Sequence, residues 1–135
     1  MNAPVLHFIP GPAGRIETAS IGCDLTQEMP AHALLVLHPH PLHGGTMGNK
    51  VVTTIVRVAK QSGLAVVAFN FRGAGESDGV WDEGVGELED AVAVARQMIG
   101  QGVQVLAVAG FSFGASVAAR LLNVLRDEFP ALNIQ

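Results

Sequence analysis

The stretch that most constrains this chain is Val105-Leu106-Ala107-Val108-Ala109-Gly110-Phe111-Ser112-Phe113-Gly114-Ala115-Ser116, an apolar run that passes through one serine into a helical pattern. A short apolar run bounded by glycine is what a parallel strand covered on both faces requires. The helical pattern starts directly after Gly114, so the join between strand and helix has to be tight. Gly110 and Gly114 lack a Cβ and permit that approach, leaving Ser112 exposed in a strained turn at a helix N-terminus. There a hydroxyl is placed to act as a nucleophile, with a backbone N–H beside it to receive an oxyanion. The rival reading is a strand-to-helix turn that is merely rich in small residues.

Around this stretch the pattern alternates. Val5 to Ile9 and Ile16 to Ile21 flank the turn cluster Pro10-Gly11-Pro12-Ala13-Gly14, which predicts an antiparallel hairpin at a sheet edge. Ala33 to Leu37 reads as a buried strand, and a helix is expected from Asn49 to Ser62, with Val52, Ile55, Val56 and Ala59 on its inner side. Leu64 to Phe71 gives another strand and Gly86 to Ile99 another helix, with Glu87, Glu89 and Asp90 in the first turn where the macrodipole favours acids. After the serine, a helix from Ala115 to Arg126 carries polar Ser116, Arg120, Asn123 and Asp127 opposite apolar Val117, Ala118, Leu121, Leu122 and Leu125. Strands alternating with helices make right-handed β-α-β units, hence an α/β fold: one mostly parallel twisted sheet with helices on both faces and the hairpin at one edge. Ligands of such sheets bind at the carboxyl ends of the strands. The loops at 38–45, 72–79 and 110–114 all fall at that end.

With 135 residues, 49% hydrophobic and 15% charged, the chain is read as a single domain spanning residues 1–135. A net charge of −4 provides no basic stripe for phosphates, so neither nucleic acid nor an anionic membrane is expected as a partner, and a small molecule or another protein is. The lone Cys23 allows no internal disulfide and reads as a small filler. No leader and no membrane span are seen, so a cytoplasmic location is the expectation.

Four runs in order, His38-Pro39-His40-Pro41, Gly44-Gly45-Thr46-Met47-Gly48-Asn49-Lys50, Phe69-Asn70-Phe71-Arg72-Gly73-Ala74-Gly75-Glu76-Ser77 and Gly110-Phe111-Ser112-Phe113-Gly114, carry a family resemblance. The chain resembles the N-terminal part of an α/β-hydrolase of the small bacterial type with a His-Pro-x-Pro run, over residues from about 5 to the end. The resemblance implies a serine hydrolase acting on carboxylic esters, thioesters or related acyl substrates, and no cofactor is expected because the chain lacks a dinucleotide fingerprint and a Gly-Lys-Ser/Thr run. It implies Ser112 as nucleophile, the N–H of Phe113 as one oxyanion donor and the loop after the first long strand as the other. Pro39 and Pro41 have no N–H, which leaves the backbone of His40, of Leu42 or of a later residue.

The family places its acid and histidine after the nucleophile, but only 23 residues follow Ser112 here and none is a histidine. Asp127 and Glu128 sit at the far end of the following helix, roughly 20 Å from the hydroxyl. The expectation is therefore a C-terminally incomplete copy, or else an upstream histidine, His40 or His43, reaching the serine from a neighbouring strand. Two further alternatives stand: a non-catalytic remnant or interaction module, and a zinc-dependent hydrolase using His38, His40 and His43. Gly73-x-Gly75-x-x-Asp78 lacks the third glycine of a dinucleotide site and reads as structural, with Arg72 pairing Glu76 or Asp90. His7 reads as surface or filler, and Met47 and Trp81 as cover for apolar surface near the cleft. Finally, the strand Val105 to Ala109 is expected at an open sheet edge, making the chain marginal alone and prone to self-association.

Overall fold

The computed structural model describes residues 3–135, so the first two residues of the segment read for a leader lie outside it. Its strands are β1 (Val5–Gly11), β2 (Gly14–Ile21), β3 (His32–Leu37), β4 (Ala65–Phe69), β5 (Val105–Gly110) and β6 (Asn133–Ile134). The helices are α1 (Lys50–Gln61), α2 (Val85–Gly100) and α3 (Phe113–Glu128), with a 3₁₀ turn at Pro41–His43. The strands form one sheet in the order β1-β2-β4-β3-β5-β6. β1 pairs with β2 and β2 with β4 antiparallel, and the remaining pairs are parallel.

Period-two alternation divides the strands between two apolar layers. Leu34 and Val36 of β3 and Val66 and Ala68 of β4 pack with Val52 and Ala59 of α1. The intervening Ala33, Leu35, Leu37, Ala65, Val67 and Phe69 face the opposite way, into a larger layer with α2 and α3. This is why β3 and β4 read as unbroken apolar runs: both faces are covered. The handedness rule explains the sidedness. The step from β3 to β4 and the step from β4 to β5 run in opposite directions across the sheet, so right-handed crossovers place α1 on one face and α2 on the other.

Helix ends follow local chemistry. Asn49 caps α1, its Oδ1 accepting from the N–H of Val51 at 2.8 Å and of Val52 at 3.3 Å. In the first turn of α2, Glu87 reaches back instead to the chain that enters the helix, accepting from the N–H of Gly84 and of Asp82, each at 2.8 Å. Both α2 and α3 run longer than the periodicity suggests, α2 by one residue at each end and α3 by two at each end, its start lying directly after the serine.

The expected open edge is corrected. β5 pairs with β6 through Val105 and Leu106, and the Val108 N–H donates to the Gln135 carbonyl at 2.7 Å. Arg126 of α3 holds this short strand, its guanidinium donating to the Ile134 carbonyl from Nε at 3.1 Å and Nη2 at 2.9 Å. The amino-terminal half of β5 is therefore paired on both sides. Only its last residues, beyond Val108, lack a neighbour on the β6 side among the described residues.

Candidate active site

The chain leaves β3 toward α1 on one face and leaves β5 toward α3 on the other, so the two loops diverge and open a crevice at the carboxyl ends of these adjacent strands. Ser112 stands at one wall, with φ 57° and ψ −118°, solvent-exposed, between the end of β5 and the first turn of α3. Among the described residues only Glu83 and Ser112 adopt positive φ without being glycine. Such backbone strain persists only where the surroundings over-determine it. They do so here: a Cβ on Gly110 would overlap the Gly114 carbonyl, and one on Gly114 would overlap the carbonyls of Leu37 and His38. The Phe111 N–H donates to the Leu37 carbonyl at 3.2 Å, and α3 closes behind the turn with Gly114 N–H on the Phe111 carbonyl at 3.0 Å and Ala115 N–H on the Ser112 carbonyl at 2.9 Å. The Phe113 N–H has no partner among the described residues.

The facing wall is the loop after β3. The carbonyl of His40 accepts from the N–H of His43 at 3.1 Å and of Gly45 at 3.0 Å, and its ring Nδ1 accepts from the Leu42 N–H at 3.1 Å. Of the two loop donors expected from sequence, Leu42 is thus engaged within the loop. The His40 N–H has no partner among the described residues. The His40 ring lies 4.4 Å from that of His43, 4.3 Å from Trp81 and 5.2 Å from Phe113, centroid to centroid. Trp81 also lies 5.2 Å from Phe113, so it does cover apolar surface at the crevice.

His38 takes a role the sequence did not disclose. It is fully buried; its Nε2 accepts the Phe71 N–H at 3.0 Å, which places the ring proton on Nδ1, 2.6 Å from the Pro39 carbonyl. Burial lowers its pKa to about 4, so it is neutral and joins the ends of β3 and β4. Both of its nitrogens are engaged, and Nδ1 of His40 is too, so the zinc arrangement through His38, His40 and His43 is not assembled. Neither His40 nor His43 hydrogen-bonds to Ser112 among the described residues. Glu128 is paired instead with Arg96, at 2.7 Å.

Behind the crevice, Arg72 takes Asp90 rather than Glu76. Its N–H donates to Asp90 Oδ2 at 2.9 Å and its guanidinium grips the carboxylate, with Nη2 to Oδ1 at 2.9 Å. The Asp90 carboxylate holds the guanidinium above its ordinary pKa. Asn70 links the loop before α1 to strand β2, accepting the Met47 N–H at 2.8 Å and donating to Glu17 Oε1 at 2.7 Å. His7 is not without a partner: its Nε2 lies 3.1 Å from Asp24 Oδ1. A groove of about 750 Å³ between α1 and the β2–β4 side of the sheet is lined by neither Ser112, Phe113 nor His40. No helix among the described residues is long and apolar enough to cross a membrane.

No protein-family model matches the chain. An uncharacterized protein of Rickettsia prowazekii (strain Madrid E) is 43% identical over 121 residues, covering 88% of this chain and 49% of that protein. Among solved structures, an α/β serine hydrolase without lid from Xanthomonas campestris superposes with a TM-score of 0.83 at 37% identity, over 92% of this chain and 57% of that one. An α/β serine hydrolase homologue from Coxiella burnetii gives 0.79 at 39% identity, over 96% and 60%. The chain spans about half the length of the curated relative it matches. With the sheet order above, these likenesses show the α/β-hydrolase fold, in the portion that runs from its amino-terminal hairpin through the helix after β5.

Proposed function

We propose that this chain carries the nucleophile and the oxyanion donors of a serine hydrolase acting on carboxylic esters, thioesters or related acyl compounds. One observation carries the reading: the strained, exposed Ser112 is locked at positive φ beside the N–H of Phe113 and across the crevice from the N–H of His40, both without a partner among the described residues. In this reading Ser112 Oγ attacks the acyl carbon and the carbonyl oxygen becomes an oxyanion received by the two N–H groups. The intermediate collapses with loss of the alcohol or thiol, leaving an acyl ester on Ser112 that water then cleaves. Preorganised donors of this kind are worth about 10²–10³ each in rate. The base that removes the Ser112 proton, and the acid behind it, are assigned to no residue of this chain.

A fluorophosphonate probe tests the reading. The chain alone is expected to label slowly, at Ser112 when the modified peptide is mapped, and to lose that labelling in Ser112→Ala; a hydroxyl without a base keeps its ordinary acidity and reacts sluggishly. Modification at another serine, or labelling that survives Ser112→Ala, sinks the assignment. Fast labelling with turnover of a p-nitrophenyl ester would instead place a base within the chain, to be sought with His40→Ala and His43→Ala.

A further inference from the structure

The two N–H groups that the proposed reaction uses come from separate loops, so something has to fix their separation. The side chains of the same two residues converge on one indole: Trp81 lies 4.3 Å from the His40 ring and 5.2 Å from the Phe113 ring, and those rings are 5.2 Å from each other. We propose that Trp81 is a positioning residue that sets the distance between the two oxyanion donors, an inference that rests on the serine-hydrolase reading above. It acts through His40 and Phe113.

Trp81 can do this because its own backbone is held independently of its side chain. On one side Arg72 is gripped by the buried Asp90. On the other, the buried Glu87 accepts the N–H of Asp82 and of Gly84, and Arg120 of α3 donates to the Gly84 carbonyl at 3.1 Å. The indole is presented by a loop anchored to α2 and α3, and α3 also begins with Phe113. Among ring contacts, those of the Trp81 and Phe113 rings with the His40 ring join this side to the His40 loop. Shortening the side chain therefore leaves its loop in place and removes the indole against which both rings pack.

The test uses the whole chain with Trp81→Ala, Trp81→Leu and Trp81→Phe. In Trp81→Ala the rate of Ser112 phosphonylation at saturating probe should fall about ten-fold or more, while the half-saturating concentration stays within about two-fold, because the donors act on the developing oxyanion. Trp81→Leu, which keeps apolar bulk without the flat face, should fall between, and Trp81→Phe should recover most of the rate. The nuclear Overhauser contact between the His40 and Phe113 rings expected in the wild type from their 5.2 Å separation should be lost in Trp81→Ala and kept in Trp81→Phe. Wild-type labelling in Trp81→Ala, or an undiminished ring-to-ring contact in it, overturns the proposal. If wild-type Ser112 fails to label while the ring contact responds to Trp81 as expected, the hydrolase reading falls and the clamp between the loops stands.

Discussion

One buried imidazole ties the stability of this fold to acid. His38 accepts the Phe71 N–H and is fully enclosed, and its pKa is lowered from 6.5 to about 4. Its proton is bound more readily in the unfolded chain, so its contribution is complete above about pH 6.5, is lost as the pH falls toward 4, and changes no further below that. The loss amounts to about 3 kcal/mol over that window. Urea melts at pH 7 and pH 4.5 should show it, and His38→Gln should be less stable at pH 7 but flatter with pH. An equal slope in the variant would assign the acid response to other groups, such as the carboxylates of Asp24, Asp78 and Glu128, which their hydrogen-bond donors hold below the ordinary carboxylate pKa.

At the level of elements, β6 shows what a two-residue strand can do. It covers the amino-terminal half of β5, and the Arg126 guanidinium holds its Ile134 carbonyl with two hydrogen bonds. Arg126→Ala should cost roughly 1 kcal/mol, since a charged donor at a largely exposed site is worth less than a buried one. It should also free the β5 edge, raising the sedimentation coefficient with concentration relative to the wild type. Unchanged stability and sedimentation would show that β6 stays docked without its arginine. This strand marks where the sequence became unreadable. The β3, β4 and β5 runs, the β1–β2 hairpin and the Ser112 turn were legible because each rests on local pattern: alternation, apolar runs, or glycines that a close backbone approach demands. Asn133–Ile134 has no periodicity of its own, and its pairing is decided by a side chain one helix away. Likewise nothing in the His38-Pro39-His40-Pro41 spacing says that the first imidazole turns inward to Phe71 while the second lies beside Trp81.

Across the whole molecule the two apolar layers are unequal. The layer under α1 gathers only Val52 and Ala59 as buried residues of that helix, whereas α3 buries five residues and α2 eight. Stability follows buried apolar contact, so α1 should open at a lower free energy than α2 and α3. Native-state hydrogen exchange should show α1 amides exchanging first and those of α3 near the global limit, and equal protection across the three helices would contradict it. The placement of Trp81 reaches this scale as well, since the chain has one tryptophan and no tyrosine. Its intrinsic fluorescence comes from an indole resting on His40 and Phe113, so the emission of the entire protein is an optical report from one crevice. Set against far-ultraviolet circular dichroism, that emission separates loosening of the crevice from unfolding of the sheet without any attached dye.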